Sequence, residues 1–384
     1  MRLRRLIGSL AAASALVSCT ASHASPTMPS SASPTMPSAA TPTMAPSATR
    51  TVPLSAALTT LSSTTRLTSP SAAPTMSATA RKYLDAALDL IQHHAVNRAR
   101  LNWPAIRQQA LNTASAAVTP IDTYPAIAVV LGELDVNGHS SLVPLPIGKN
   151  TASLPAGPSQ LPSGRLLPGG RIGYVALPGI SLTFADQYQA AGAAVMRRLL
   201  TGQPDGWILD LRSDDGGDVW PMLGGVQPLL GSGPIGSFIA PPAPASVVRV
   251  TPTEITQGAE VSIRMSAQLQ QSASTDPVVV LTGPTTGSSG EFAAIVFRGR
   301  PCTTSMGAAT YGVPTGNTPY RLSDGADLIL TTAFEADRTG RLYPDAPIEP
   351  DIQVGTNYFA TWRPTDPAIR AASRWLSLHR GCDQ

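Results

Sequence analysis

Two short apolar runs, each ending in a glycine-rich polar loop, set the limits on what this chain can fold into. Trp207-Ile-Leu-Asp-Leu211 leads into Arg212-Ser-Asp-Asp-Gly-Gly217, and Val278-Val-Val-Leu281 leads into Thr282-Gly-Pro-Thr-Thr-Gly-Ser-Ser-Gly290. Apolar runs of this length, bounded by turn residues, predict strands. Arg171-Ile-Gly-Tyr-Val-Ala-Leu177 and residues 327–333 read as further strands. Helical spacing predicts helices over 184–200, from about 289 to 297, and over the amphipathic stretch 367–379. Strands that alternate with helices predict a layered α/β core from Gly170 onward.

Upstream of this core the spacing is helical. Tyr83, Leu84, Ala87, Leu88 and Ile91 form one apolar face, a second helix is expected over 103–117 with Pro104 in its first turn, and a third over 125–134. The third runs into a tight polar loop, Asp135-Val-Asn-Gly-His-Ser-Ser141, and the Pro- and Gly-rich stretch 144–170 connects it to the α/β part. Before the helices, from Thr20 to about Thr79, Pro, Ser, Thr, Ala and Met dominate, and Ser25-Pro-Thr-Met-Pro-Ser30 recurs as Ser33-Pro-Thr-Met-Pro-Ser38. Such repeats block helices and ladders and bury too little to offset ordering entropy, so an extended tether is expected. The expected organisation is therefore residues 1–18 as a signal segment, 19–79 as tether, 80–150 as a helical subdomain and 165–384 as the α/β domain.

The charge pattern narrows the partners. The formal net charge of +3 is carried by Arg2, Arg4 and Arg5, and beyond residue 18 basic and acidic side chains balance at 24 each. Without a Lys/Arg-rich run, phosphate-backbone binding lacks its electrostatic driver, and nucleic acid is excluded as an expected partner. The basic start and the apolar run from Leu6 to Val17 read as an export signal too short to span a bilayer. It ends in Leu16-Val17-Ser18-Cys19, which resembles a bacterial lipobox. Cys19 is then either the lipidated residue that attaches the chain to a membrane or an incidental cysteine near an ordinary signal cut. Two or three acyl chains make such an anchor stable. Cys302 and Cys382 remain, and export makes a disulfide feasible without demonstrating one. No His/Cys/Asp cluster has ligand spacing and no phosphate-binding glycine loop carries a lysine, so neither a metal nor another cofactor is expected.

Two loops carry chemistry. A serine between a buried strand and a helix sits where backbone N–H groups point outward, which suits a nucleophile whose attack creates an oxyanion. Ser288 and its neighbours equally suit a helix cap. The Asp214-Asp-Gly-Gly217 run is either an ordinary turn or the source of a backbone N–H directed at a reacting carbonyl.

Taken in order, the strand with Asp210-Leu-Arg212 and its Gly-Gly turn, the strand with Thr282-Gly-Pro-Thr-Thr-Gly-Ser288-Ser-Gly-Glu291, then Gly340-Arg-Leu-Tyr343 and Pro347-Ile-Glu-Pro-Asp351, resemble the C-terminal processing (tail-specific) peptidases. The wider clan includes the tricorn protease core and interphotoreceptor retinoid-binding protein, and the resemblance runs from about Tyr83 to Ile352. It implies a ClpP/crotonase-like layered α/β domain behind a small helical subdomain. It places the nucleophile at Ser288, three residues before Glu291, and an oxyanion hole at the backbone N–H groups of Gly217 and Ser289. Members with a PDZ module use it to gate peptide access, and the roughly 30 residues between Ser141 and Arg171 leave no room for one.

The sequence departs from the bacterial processing enzymes at the base. They use a Lys in a Thr-x-Gly-Lys-like setting, whereas here the stretch is Thr310-Tyr-Gly-Val313 and the chain's two lysines, Lys82 and Lys149, lie elsewhere. The tricorn-like branch takes its base from a His in the loop closing the helical subdomain, which Asn137-Gly-His139-Ser140 matches. An imidazole titrating near 6.5 suits the role, and a loop histidine that caps or packs is the plain alternative. The resemblance points to Asp345 as the acid that orients the ring, with Glu349 and Asp351 as residues that brace the last strand. The implied activity is a serine-type peptidase, an exported hydrolase located in the bacterial cell envelope that acts on a peptide or unfolded protein. The alternative is a catalytically silent protein on the same fold that binds peptides or apolar ligands.

Overall fold

The computed structural model describes residues 75–135, 137–144, 160–180, 184–265, 272–355 and 362–381. The signal segment, Cys19 and nearly all of the expected tether lie outside the described residues. Among those described, no helix is long and apolar enough to cross a membrane.

Three helices open the folded part. Helix α1 (Ala78–His94) is capped by Ser77, whose hydroxyl accepts the Ala80 N–H, and buries Tyr83, Leu84, Ala87, Leu88 and Ile91 on one face. Helices α2 (Trp103–Thr113) and α3 (Tyr124–Leu134) each begin with a proline in the first turn, where its missing N–H costs nothing. The α2 helix ends four residues before the periodicity suggested. These helices do not close a core of their own. Their apolar faces pack on Leu322, Leu328 and Leu330 from the α/β part. Tyr83 and Tyr124 both donate to the Asp324 carboxylate, at 2.9 and 2.6 Å.

After strand β1 (Ser141–Val143) come β2 (Ser163–Leu166), β3 (Ile172–Ala176), helix α4 (Ala185–Leu200), β4 (Gly206–Asp210), helices α5 (Val219–Gly225) and α6 (Gln227–Leu230), and strands β5 (Gly233–Ile239), β6 (Ser246–Val250), β7 (Glu254–Gln257) and β8 (Glu260–Arg264). They are followed by β9 (Val278–Thr282), α7 (Ser289–Ile295), β10 (Thr303–Gly307), β11 (Thr315–Arg321), β12 (Asp327–Asp337), β13 (Leu342–Tyr343), β14 (Ile352–Gln353) and α8 (Pro367–Leu378). One sheet has the order β14-β10-β9-β4-β3-β2 and is parallel except for β2. Every residue of β4 and β9 is buried, as expected of central strands covered on both faces. Their side chains alternate. Trp207, Leu209, Val278 and Val280 enter the large core with α4, α5 and α7, while Ile208, Val279 and Leu281 pack against α8.

The second sheet is antiparallel, running β1-β12-β5-β6-β7-β8 with β11 and β13 also on β12. The strands and helices read from the sequence leave 231–265 unassigned, and this stretch forms the β5–β8 meander. Strands β7 and β8 are half-exposed and polar, so they lack the apolar alternation that marks a strand in sequence. Cys302 is disulfide-bonded, and Cys382 lies outside the described residues.

Candidate active site

Strands β4 and β9 are parallel neighbours, with Asp210 opposite Leu281, so the two glycine-rich loops leave the same carboxyl edge of the sheet side by side. The loops are stitched together there. Gly287 N–H donates to the Asp214 carbonyl at 2.9 Å, Thr286 Oγ1 to Leu211 O at 2.8 Å, Ser289 Oγ to Gly217 O at 2.6 Å, and Thr285 Oγ1 to Arg212 O. Beneath them Arg212 is 1% exposed and forms a fork on Asp210 at 2.9 and 2.6 Å while its third nitrogen reaches Asp366 at 2.8 Å. The Asp-Leu-Arg motif is therefore a brace, and Asp366 also caps α8.

Ser288 has φ 52°, ψ −120°, a strained conformation for a side chain other than glycine. It sits on the sharp turn from β9 into α7 and faces the Gly-Gly turn. A Cβ on Gly216 would meet Ser288 Cβ at 2.9 Å, and Gly216 itself has φ +107°, so only glycine fits there. Gly216 N–H is taken by Asp214 Oδ1. The Gly217 N–H donates no hydrogen bond among the described residues. The Ser289 N–H lies in the first turn of α7, where amides have no intrahelical partner.

His139 reaches this place from the loop between α3 and β1. Its loop is pinned by α3 on one side and by β1 on the other, which pairs antiparallel with β12 from Ser141 opposite Ile329. Asp135, 2% exposed, accepts the Ser140 N–H at 2.8 Å, and Asn137 Nδ2 donates to Gly312 O at 2.7 Å. The structure brings His139 Nε2 to 3.0 Å from Ser288 Oγ. Nδ1 lies 2.6 Å from Thr315 Oγ1. With Nε2 accepting the serine proton, Nδ1 carries the ring hydrogen and donates it to Thr315. Burial pushes the His139 pKa down to about 4, partly opposed by the Asp135 charge. The value near 6.5 expected from sequence is thus lowered because the ring is 8% exposed.

Asp345 is not brought to the imidazole. It lies on the turn after β13, while the Nδ1 position expected for it is filled by Thr315 at the start of β11. Among the described residues neither buried Asp345 oxygen has a hydrogen-bond partner, and burial, followed by the charge of Asp135, pushes the carboxyl up to about 6. Asp351 braces β10 through the Ser305 N–H and hydroxyl, at 2.8 and 2.9 Å, and Glu349 accepts from Gln353 at 3.2 Å. Thr315 and Gly216 have no signal in the sequence that separates them from other threonines and glycines. Among the described residues no group of three or more His, Cys, Asp or Glu is arranged to hold a metal.

Known proteins share this arrangement of elements. The nisin-resistance protein of Lactococcus lactis subsp. lactis is 35% identical over 151 residues, which is 39% of this chain and 46% of that protein, so the matched stretch spans less than half the relative's length. A lipoprotein from Streptococcus agalactiae superposes with a TM-score of 0.62 at 22% identity, over 78% of this chain and 97% of that one. The photosystem II D1 C-terminal processing protease superposes at 0.50 and 15% identity, over 73% and 94%. At these identities the two structures share the fold. The sequence model of peptidase family S41 matches residues 171–354, from the residue before β3 to the residue after β14, which takes in Ser288, Glu291 and both glycines of the turn but not His139. That match gives residues 171–354, just under half of the chain, the sequence pattern of peptidase family S41.

Proposed function

We propose that the chain is an exported serine peptidase, tethered to the cell envelope through a lipid on Cys19, in which Ser288 is the nucleophile and His139 the general base. The observation that carries this reading is the 3.0 Å contact between Ser288 Oγ and His139 Nε2 on a strained turn packed against Gly216. Ser288 Oγ attacks the peptide carbonyl as its proton passes to Nε2. The oxyanion forms beside the N–H groups of Gly217 and Ser289. The proton then goes to the leaving amine, and water releases the acyl group by the same route. Thr315 holds Nδ1 throughout, and Asp135 supplies the negative charge that favours the transient imidazolium. Thus the ring is oriented by a hydroxyl, and Asp345 takes no direct part. Peptides are the substrate class, and nisin is a candidate because a relative is named for resistance to it.

The test is covalent. The full-length chain is treated with a fluorophosphonate and the adduct is located by peptide mass spectrometry. An adduct on Ser288 that is lost in His139→Ala supports the dyad. No adduct from folded protein favours the silent binder. A second expectation concerns the base itself. Ring resonances of His139 followed by NMR should stay in the neutral form from pH 8 down to 5 and move only toward pH 4. Because the folded value lies below the unfolded one, this group's share of stability is full above about 6.5 and is lost as pH falls toward 4. A midpoint above 6 would show that the ring is solvated rather than buried.

A further inference from the structure

We propose that Glu291 is a positioning residue for this reaction, whose ionised carboxylate ties the nucleophile turn to the segment that supports the imidazole and holds the two in register. The proposal rests on the Ser288–His139 reading. Glu291 is fully buried one turn into α7. Its Oε2 accepts the Ser288 N–H at 3.0 Å and the Val313 N–H at 2.8 Å, and its Oε1 accepts Thr310 Oγ1 at 2.5 Å and the Gly312 N–H at 2.9 Å. The pairing with Ser288 is a capping-box contact, but the other three donors belong to no helix.

Those donors lead to the base. Gly312 O accepts Asn137 Nδ2 from the His139 loop, and Thr315, two residues past Val313, holds His139 Nδ1. One carboxylate therefore grips the nucleophile's backbone with one oxygen and, through residues 310–313, both supports of the imidazole. This is also the stretch, Thr310 to Val313, in which the sequence departs from the Thr-x-Gly-Lys-like setting of the bacterial processing enzymes.

The charge state matters because of how the bonds are made. The Thr310 hydroxyl receives the Ile348 N–H at 2.8 Å, so it gives its own hydrogen to Glu291. Four hydrogens thus converge on two oxygens, which matches an acceptor-only carboxylate. Protonation adds a fifth hydrogen among four donors and displaces one of them. Burial pushes the Glu291 carboxyl up to about 7, so the displacement falls in the neutral range. The titratable group whose charge reaches it is Glu335 from β12, while Asp214 from the loop after β4 lies against the neighbouring Gly290 and His139 from the loop before β1 lies against Ser288. Burial pushes both carboxyls well above their usual range and holds the imidazole neutral.

The experiment is the rate of fluorophosphonate labelling at Ser288 in the full-length chain between pH 5 and 9. Wild type should label faster as pH rises, with a midpoint near 7. Glu291→Gln, which turns an amide N–H toward two of the donors, should label about 100-fold more slowly at pH 8 and lose that midpoint. Thr310→Val removes one donor from the carboxylate and should move the midpoint to higher pH, which keeps the test alive if Glu291→Gln does not fold. Glu335→Gln, which mimics a neutral acid, should leave the midpoint in place. A flat wild-type profile, or a Glu291→Gln variant that labels at the wild-type rate or keeps the midpoint, overturns the inference alone. Wild type that never labels overturns the dyad and the inference with it.

Discussion

Ser288→Ala is expected to abolish peptide hydrolysis, lowering kcat by about 10⁴-fold or more, and to change folding stability by no more than about 1 kcal/mol. The two outcomes separate because the serine's side chain and its backbone do different jobs. The hydroxyl contributes one hydrogen bond, to His139 Nε2. The turn is held by other atoms: the Ser288 N–H on Glu291, the Gly287 N–H on Asp214 O, and the close seat against Gly216. Alanine keeps all of these and has to adopt the same strained φ. The residual rate then comes from binding and the two backbone amides alone. Hydrolysis measured by mass spectrometry and denaturation followed by circular dichroism give both numbers on one sample. A variant with more than a tenth of wild-type turnover would remove Ser288 from the mechanism.

Arg212→Met should have the largest effect on stability, about 3–5 kcal/mol, or a fall in Tm on the order of 10 °C. Arg212, Asp210 and Asp366 are 1%, 3% and 5% exposed, so removing the guanidinium leaves two buried carboxylates without their counter-charge. The loss also loosens the ground under the site, since Asp210 anchors Tyr174 and the Arg212 carbonyl receives Thr285. The control is Arg264→Met. Its partner Glu254 lies 3.3 Å away but the arginine side chain is 77% exposed, and water screens the pair, so a change within about 0.5 kcal/mol is expected. Equal effects at the two sites would mean that the buried triad is solvated and no brace.

The strands and helices of the S41 match were legible because burial leaves a local trace. Strands β4 and β9 are apolar at every residue that faces a core, and α4 and α8 carry their apolar stripes at helical spacing. The β5–β8 meander left little trace, because β7 and β8 are half solvated and their residue choice is free on the exposed face. The glycine loops were likewise readable from residue type and order, whereas the candidate nucleophile and the candidate imidazole stood out from a helix cap and a loop histidine only through the resemblance to the processing and tricorn-like peptidases. The Glu three residues after the serine was visible too, although nothing in the sequence says that four donors converge on it.

What the chain's order of residues determined by itself is the set of elements and the two loops that leave parallel strands, since both follow from local periodicity and turn chemistry. Only the tertiary structure decided which groups meet. His139 and Ser288 are 149 residues apart and His139 and Thr315 are 176 apart, and each pair meets only because β1 zips onto β12 while α3 holds the other end of the loop. The same folding step assigned Nδ1 to a threonine and left Asp345 aside. A hydrogen bond depends on a few tenths of an ångström, and that precision is set by packing across the whole molecule rather than by any residue's neighbours in the chain.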